Sequence, residues 1–211
     1  MSLPHSVKRY TVAEYYEREH AEQEKSDFYD GEIFAMAGGT ASHSRICSNL
    51  VREIGNRLKG TPCFIYDPNL RLKVKANGLR TYPDASVYYG KLERDHEDSY
   101  VETYTNPTVL FEVLSPSTEG YDRGFKATSY RQIETLKSYV LVSQTSVHVE
   151  AYDRQEDGTW RLREVSDLRG TLALPSIGVD LPLAEIYDGV EFRAADGTAI
   201  AESNPRPGST H

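Results

Sequence analysis

Val109-Leu110-Phe111-Glu112-Val113-Leu114 is the stretch on which the fold reading turns. A short, nearly unbroken apolar run suits a strand covered on both faces. Alternate side chains of a strand share a face, so Leu110, Glu112 and Leu114 point one way and Phe111 and Val113 the other. Glu112 is therefore expected to be at least partly buried. A buried carboxylate is costly unless it is paired, hydrogen-bonded or bound to metal. On this pattern alone, a structural pair with Arg or Lys competes with a functional role.

Working outward, Pro83-Asp84 heads the preceding apolar strand, Tyr82 to Tyr89, and Ser115-Pro116-Ser117-Thr118 turns the chain after Leu114. Tyr121 to Ile133 then reads as a helix that places Asp122, Lys126 and Tyr130 on one face by their i, i+4 spacing. Upstream, Thr11-Val12-Ala13-Glu14 has the form of a capping box for a helix running to about Glu24. Asp30-Gly31 is a two-residue hairpin turn, with Glu32 to Met36 leaving it as a strand. A second helix from Ser42 to Leu58 carries Ile46, Leu50, Val51, Ile54 and Leu58 at helical spacing. Further strands are expected at Cys63 to Tyr66, Leu70 to Lys75, Tyr139 to Val142 and Val147 to Tyr152. A hairpin through Gln155 to Gly158 leads to Trp160-Arg161-Leu162, and Thr171 to Tyr187 reads as a last strand and short helix. These elements predict one domain over 1–193 of α/β or α+β type with a mixed sheet, followed by a flexible tail over 194–211.

The 211 residues are 38% apolar and 27% charged, ordinary for a globular domain. No stretch has the roughly 18 to 20 consecutive apolar residues of a membrane helix, and Met1 to Arg9 lacks the apolar run of a signal peptide. A cytoplasmic location without membrane partners is the expectation. Cys47 and Cys63 form neither a disulfide framework nor a zinc cluster and are expected as buried thiols. The net charge of −8 weighs against tight non-specific binding to phosphates. Arg71, Lys73 and Lys75 form the one basic stripe of the first half, either a solvated sheet face or a nucleic-acid contact.

Two carboxylates on adjacent strands, Asp84 and Glu112, with a strand carbonyl nearby, make the hard-oxygen donor set that Mg²⁺ prefers. Lys126 is the nearest candidate for a cation beside them. On spacing alone an isolated helix lysine reads as surface decoration.

The order Pro83-Asp84, Glu112-Val113-Leu114-Ser115-Pro116-Ser117-Thr118, Tyr121-Asp122-Arg123-Gly124-Phe125-Lys126 and Tyr130 resembles the large Uma family, whose members are described as restriction endonucleases. The similarity runs from the Asp30-Gly31-Glu32 hairpin through Tyr152. The resemblance implies the PD-(D/E)XK superfamily: a restriction-endonuclease-like core with a mixed central β-sheet flanked by helices, and Mg²⁺-dependent cleavage of nucleic acid. The superfamily's second motif ends in lysine, whereas this chain has Leu114 there. In this family the resemblance moves the lysine to the following helix and gives its role to Lys126. It implies Asp84 and Glu112 as metal ligands for Mg²⁺, with Mn²⁺ as substitute, and these two with Lys126 as the catalytic set. Glu32, His43, Asp122 and Tyr130 are accessory candidates.

The leading reading is a DNA endonuclease acting as a homodimer, so that both strands are cut. A catalytically silent DNA-binding or scaffold module of the same fold is the alternative, and RNA or a small phosphodiester is a further substrate class.

Overall fold

A computed structural model describes residues 8–36, 38–193 and 199–202. Helix α1 (Val12–Glu22) starts at Thr11, whose hydroxyl accepts from the Glu14 N–H while Glu14 accepts the Thr11 N–H at 2.7 Å. This reciprocal pair satisfies two of the N–H groups a helix start leaves bare. Strands β1 (Ser26–Tyr29) and β2 (Glu32–Ala35) form a hairpin in which Asp30 and Gly31 take φ of 46° and 81°. Left-handed backbone at both positions matches the twist of the flanking strands, and Asp and Gly tolerate it. Helix α2 (Ala41–Arg57) is capped by Thr40.

The chain continues through β3 (Cys63–Tyr66), β4 (Arg71–Lys73), β5 (Arg80–Thr81), β6 (Ala85–Tyr89), β7 (Arg94–Asp95), β8 (Thr103–Tyr104) and β9 (Val109–Leu114). Helix α3 covers residues 119–130, and its middle, Asp122–Lys126, is wound as π-helix. Strands β10 (Ser138–Ser143), β11 (Val149–Arg154), β12 (Trp160–Val165), β13 (Thr171–Leu174) and β14 (Val179–Pro182) precede the short helix α4 (Leu183–Ile186). Strands β15 (Glu191–Arg193) and β16 (Ala199–Glu202) pair with each other.

The central sheet has the order β12-β11-β10-β9-β6-β3 and is mixed, because β9 and β10 run parallel while the other neighbours are antiparallel. One face carries Val87, Val109, Phe111, Val113, Val140 and Val142, covered by Ile46, Leu50 and Ile54 of α2 and by apolar residues of β13, β14 and α4. The opposite face carries Leu110, Leu114, Tyr139 and Leu141 against Ala127 and Tyr130 of α3 and Leu72 and Leu79. The alternation expected for β9 is therefore present, and Glu112 stands on the α3 side. A second sheet of short strands, in the order β2-β1-β5-β4-β8-β7, brings the first hairpin alongside.

Several boundaries differ from expectation. Helix α3 begins two residues earlier than predicted and ends at Tyr130, with a π-wound turn that i, i+4 spacing does not reveal. Thr171 to Tyr187 holds two paired strands rather than one, joined by a 3₁₀ turn at Pro175–Ile177. Strands β5, β7 and β8, two residues each, are too short to leave a periodic signal. Within the segment expected as a flexible tail, residues 199–202 form a strand, and 194–198 and 203–211 lie outside the described residues.

The basic stripe is neither a solvated face nor an open phosphate contact. Arg71 is fully buried, held by Glu19 at 2.6 Å and by Asp98, and Lys73 is paired with Asp95 at 2.5 Å and Glu97 at 2.9 Å. Lys75 alone is exposed, and it meets Glu93 at 3.2 Å. These cations are spent on fixing α1 and the 93–98 segment to the second sheet. Removing one partner of a buried pair strands the other charge, so Arg71→Ala is expected to cost about 3 to 5 kcal/mol. Urea unfolding of wild type and variant, compared at one pH, measures it.

Candidate active site

The register that pairs Ala85 with Phe111 places Asp84 opposite Glu112 when continued by one residue. Directly opposed residues of an antiparallel pair project to the same face with Cβ atoms about 5 Å apart. Asp84 Oδ2 accepts the Val113 N–H at 2.7 Å. That bond fixes the Asp84 carboxylate beside the one carboxylate of β9.

Lys126 of α3 reaches down onto the sheet face. Its Nζ donates to Glu112 Oε1 at 3.1 Å, and the Tyr130 hydroxyl donates to the same oxygen at 2.8 Å. Asp122 Oδ1 lies 3.3 Å from Lys126 Nζ, a charge contact without hydrogen-bond alignment. Tyr139 donates to the Asp122 carbonyl at 3.0 Å, anchoring the π-wound turn to β10. Arg123, one residue on, ties the same turn to β11 through Glu150 at 2.6 Å. Leu114, where the superfamily pattern has lysine, faces the core of that side.

The site forms the floor of a cavity of about 490 Å³. Asp84, Glu112, Asp122, Lys126 and His43 all line it, so the structure brings together the three core candidates and two accessory ones. Tyr130 lies beneath the floor, fully buried. His43, on the first turn of α2, sets Nε2 3.3 Å from Asp84 Oδ2, and its Nδ1 faces the Cys47 thiol at 3.5 Å. Glu32 is elsewhere: it is partly exposed on β2, does not line the cavity, and its nearest cation is Arg9 at 3.9 Å. Both cysteines are buried and free.

One lining carboxylate escaped the sequence reading. Asp27 of β1 is only 5% exposed, and its Oδ1 has no hydrogen-bond partner among the described residues. Asp27 sits in a run, Ser26-Asp27-Phe28-Tyr29, whose alternation carries no mark of a buried acid.

The electrostatics follow from four acids facing two nitrogen bases. Burial works against the charge of Lys126, but Glu112, Asp27 and Asp122 hold its proton well above the ordinary lysine range. Glu112 is driven upward by burial first, then by Asp122 and Asp84, while Lys126 and the Tyr130 hydroxyl pull it back. Asp122 is also raised, chiefly by burial. For His43, burial opposes protonation, yet the hydrogen bond and charge of Asp84, with Asp122 and the Val113 backbone, raise it overall. The floor thus carries more buried carboxylate than its own cations offset.

Such a surplus is the condition a divalent cation relieves, and carboxylate oxygens are the donors Mg²⁺ takes. A tight three-donor group within the site is His43, Cys47 and Asp84. Cys47 offers a soft sulfur that Mg²⁺ does not take, so the oxygen donors are the ones that fit. The residues present fit Mg²⁺.

Comparison with known proteins agrees with this architecture. Two uncharacterized proteins of Synechocystis sp. are 38% and 34% identical over 181 and 165 residues, covering 85% and 78% of this chain and 92% of each relative. A crystal structure of a putative nuclease belonging to DUF820 from Anabaena variabilis superposes with a TM-score of 0.64 at 18% identity, over 78% of this chain and 90% of that one. The α/β fold is thus one shared with that structure. Residues 12–184 match the Uma2 family, described as "Putative restriction endonuclease", and the chain belongs to that family. Among the described residues no helix is long and apolar enough to cross a membrane.

Removing the Lys126 cation leaves Glu112 and Asp122 without their compensating charge. Lys126→Met is expected to destabilise the fold by about 3 kcal/mol near neutral pH. The loss should shrink at about pH 5, because carboxyls whose proton affinity is raised by burial then become neutral. Urea unfolding at the two pH values reads this difference.

Proposed function

We propose that this chain is a Mg²⁺-dependent endonuclease that hydrolyses DNA phosphodiester bonds. The observation that carries the reading is Lys126 Nζ at 3.1 Å from Glu112, in the cavity that Asp84 also lines. Asp84 and Glu112 would hold the ion, and Mn²⁺ would substitute for it. When bound, the ion supplies Lewis-acid stabilisation of the phosphodiester and lowers the proton affinity of water.

The chain's own residues do the rest. Lys126, kept as ammonium by the surrounding acids, donates to the attacking water and to phosphate oxygens on which negative charge develops. Asp122 holds the ammonium from the same helix, and Tyr130 fixes Glu112 from below so that one carboxylate oxygen is occupied and oriented. His43 steadies Asp84 by the same logic from α2. Displacement of the 3′ oxygen by water leaves a 5′-phosphate and a 3′-hydroxyl. Association of two copies would let both strands be cut.

A second reading is a catalytically silent DNA-binding or scaffold module, and the charge of −8 with the ion pairs that consume Arg71 and Lys73 favours its scaffold form. Mn²⁺ titration followed by water-proton relaxation separates the two. The nuclease reading expects binding to wild type and its loss in both Asp84→Asn and Glu112→Gln. Lys126→Ala should bind the ion and cleave at least about 100-fold more slowly in a screen over DNA and RNA. Wild type that takes up no Mn²⁺, even beside a short duplex, would move the assignment to the silent module.

The sign of the pH dependence is fixed by Glu112. Its carboxyl holds a proton above the ordinary range, and ion binding must displace that proton. Mn²⁺ affinity is therefore expected to rise as pH is raised above the ordinary carboxylate range, accompanied by proton release measurable in weakly buffered solution.

A further inference from the structure

Asp27 is the group of the cavity that the reaction above leaves without a task. A carboxylate nine-tenths buried with an unpartnered oxygen is expensive, and folded proteins keep such groups where something binds them. Asp27 lines the same cavity as Lys126, and it is among the charges that act most strongly on the Lys126 ammonium. It makes no ion pair with Lys126 within 4.0 Å, however, because the ammonium is turned toward Glu112 and Asp122. The Tyr121 ring centroid is 5.6 Å from Lys126 Nζ, and burial first and then the charge of Asp27 push the Tyr121 phenol up, so this ring adjoins both groups.

Glu112 is asked to do two things with one charge. It pairs with Lys126 in the structure, and under the reading above it also holds a divalent cation. Two positive groups on one carboxylate repel, and the lysine, on a flexible four-carbon stem, is the one free to move. We infer that Asp27 is a positioning residue that receives the Lys126 ammonium when Glu112 turns to a cation, holding the lysine in the cavity rather than letting it swing away. This inference rests on the nuclease reading for its purpose, but the handover itself can be tested without cleavage.

The experiment follows the ¹⁵Nζ resonance of Lys126, assigned by its disappearance in Lys126→Arg, in the full chain at one fixed pH. Mg²⁺ added to wild type should shift it, and the shift should be absent in Asp27→Asn, while Mn²⁺ affinity stays within about threefold because Asp84 and Glu112 are intact. Glu112→Gln, which withdraws the competing charge without any metal, should move the resonance in the same direction, and adding Asp27→Asn to it should abolish the move. Cleavage by Asp27→Asn should fall at least about tenfold in kcat with little change in KM, and Asp27→Glu should recover part of it. Loss of Mn²⁺ binding in Asp27→Asn to the extent seen in Glu112→Gln would overturn the inference, since Asp27 would then be a ligand. A Lys126 resonance indifferent to Asp27 in the Glu112→Gln background would overturn it as well. Wild type that binds no metal would sink the nuclease reading alone, and the metal-free comparison would still decide the role of Asp27.

Discussion

The contact between Lys126 and Glu112 is the constraint around which the rest is arranged. A carboxylate on an otherwise apolar strand face, 3% exposed, has to be met by a cation and a donor, or the sheet would lose the covering helix. Lys126 and Tyr130 meet it from one helix, and the apolar neighbours Leu110, Leu114, Ala127 and Leu141 close around the contact. Burying an ion pair in this way is a poor means of gaining stability compared with apolar packing of the same volume. Its persistence at the floor of a cavity, with Asp84 and Asp122 adding to the acid rather than balancing it, points away from a purely structural role.

Much of this arrangement was legible in the chain itself. Strand alternation put Glu112 on the side of Leu110 and Leu114, and the structure has it there, facing α3. The capping box at Thr11 and the Asp30-Gly31 turn were readable because each depends on local chemistry alone. Asp27 was not, since nothing in Ser26-Asp27-Phe28-Tyr29 distinguishes a buried acid from an exposed one, and its burial comes from β5 and α3, remote in sequence. Glu32 drew attention for the same reason in reverse: it is adjacent to the turn but directed away from the cavity. The pairing of the basic stripe was not legible because its partners, Glu19, Asp95 and Asp98, come from a helix, a two-residue strand and a loop whose approach no periodicity encodes.

Those ion pairs also bear on how an acidic domain could handle a polyanion. With Arg71 and Lys73 committed internally, the described residues do not present that row as an electrostatic landing strip. Encounter with phosphates would then rely on charge neutralised at the floor of the cavity. Binding organised this way would be short-range and sensitive to occupancy of the acidic floor more than to the charge of the whole.

The π-wound turn at Asp122–Lys126 has a geometric meaning of its own. In a regular α-helix eight residues overshoot two full turns by about 80°, so Asp122 and Tyr130 would diverge around the axis. The wider turn absorbs that excess, and both residues come to face the sheet together with Lys126 between them. The aim of the lysine is therefore set by chain length as much as by chemistry. A helix shortened by one residue in this turn could keep Asp, Lys and Tyr and still point them past Glu112, which makes the count of residues between Asp122 and Tyr130 as much a part of the site as the side chains themselves.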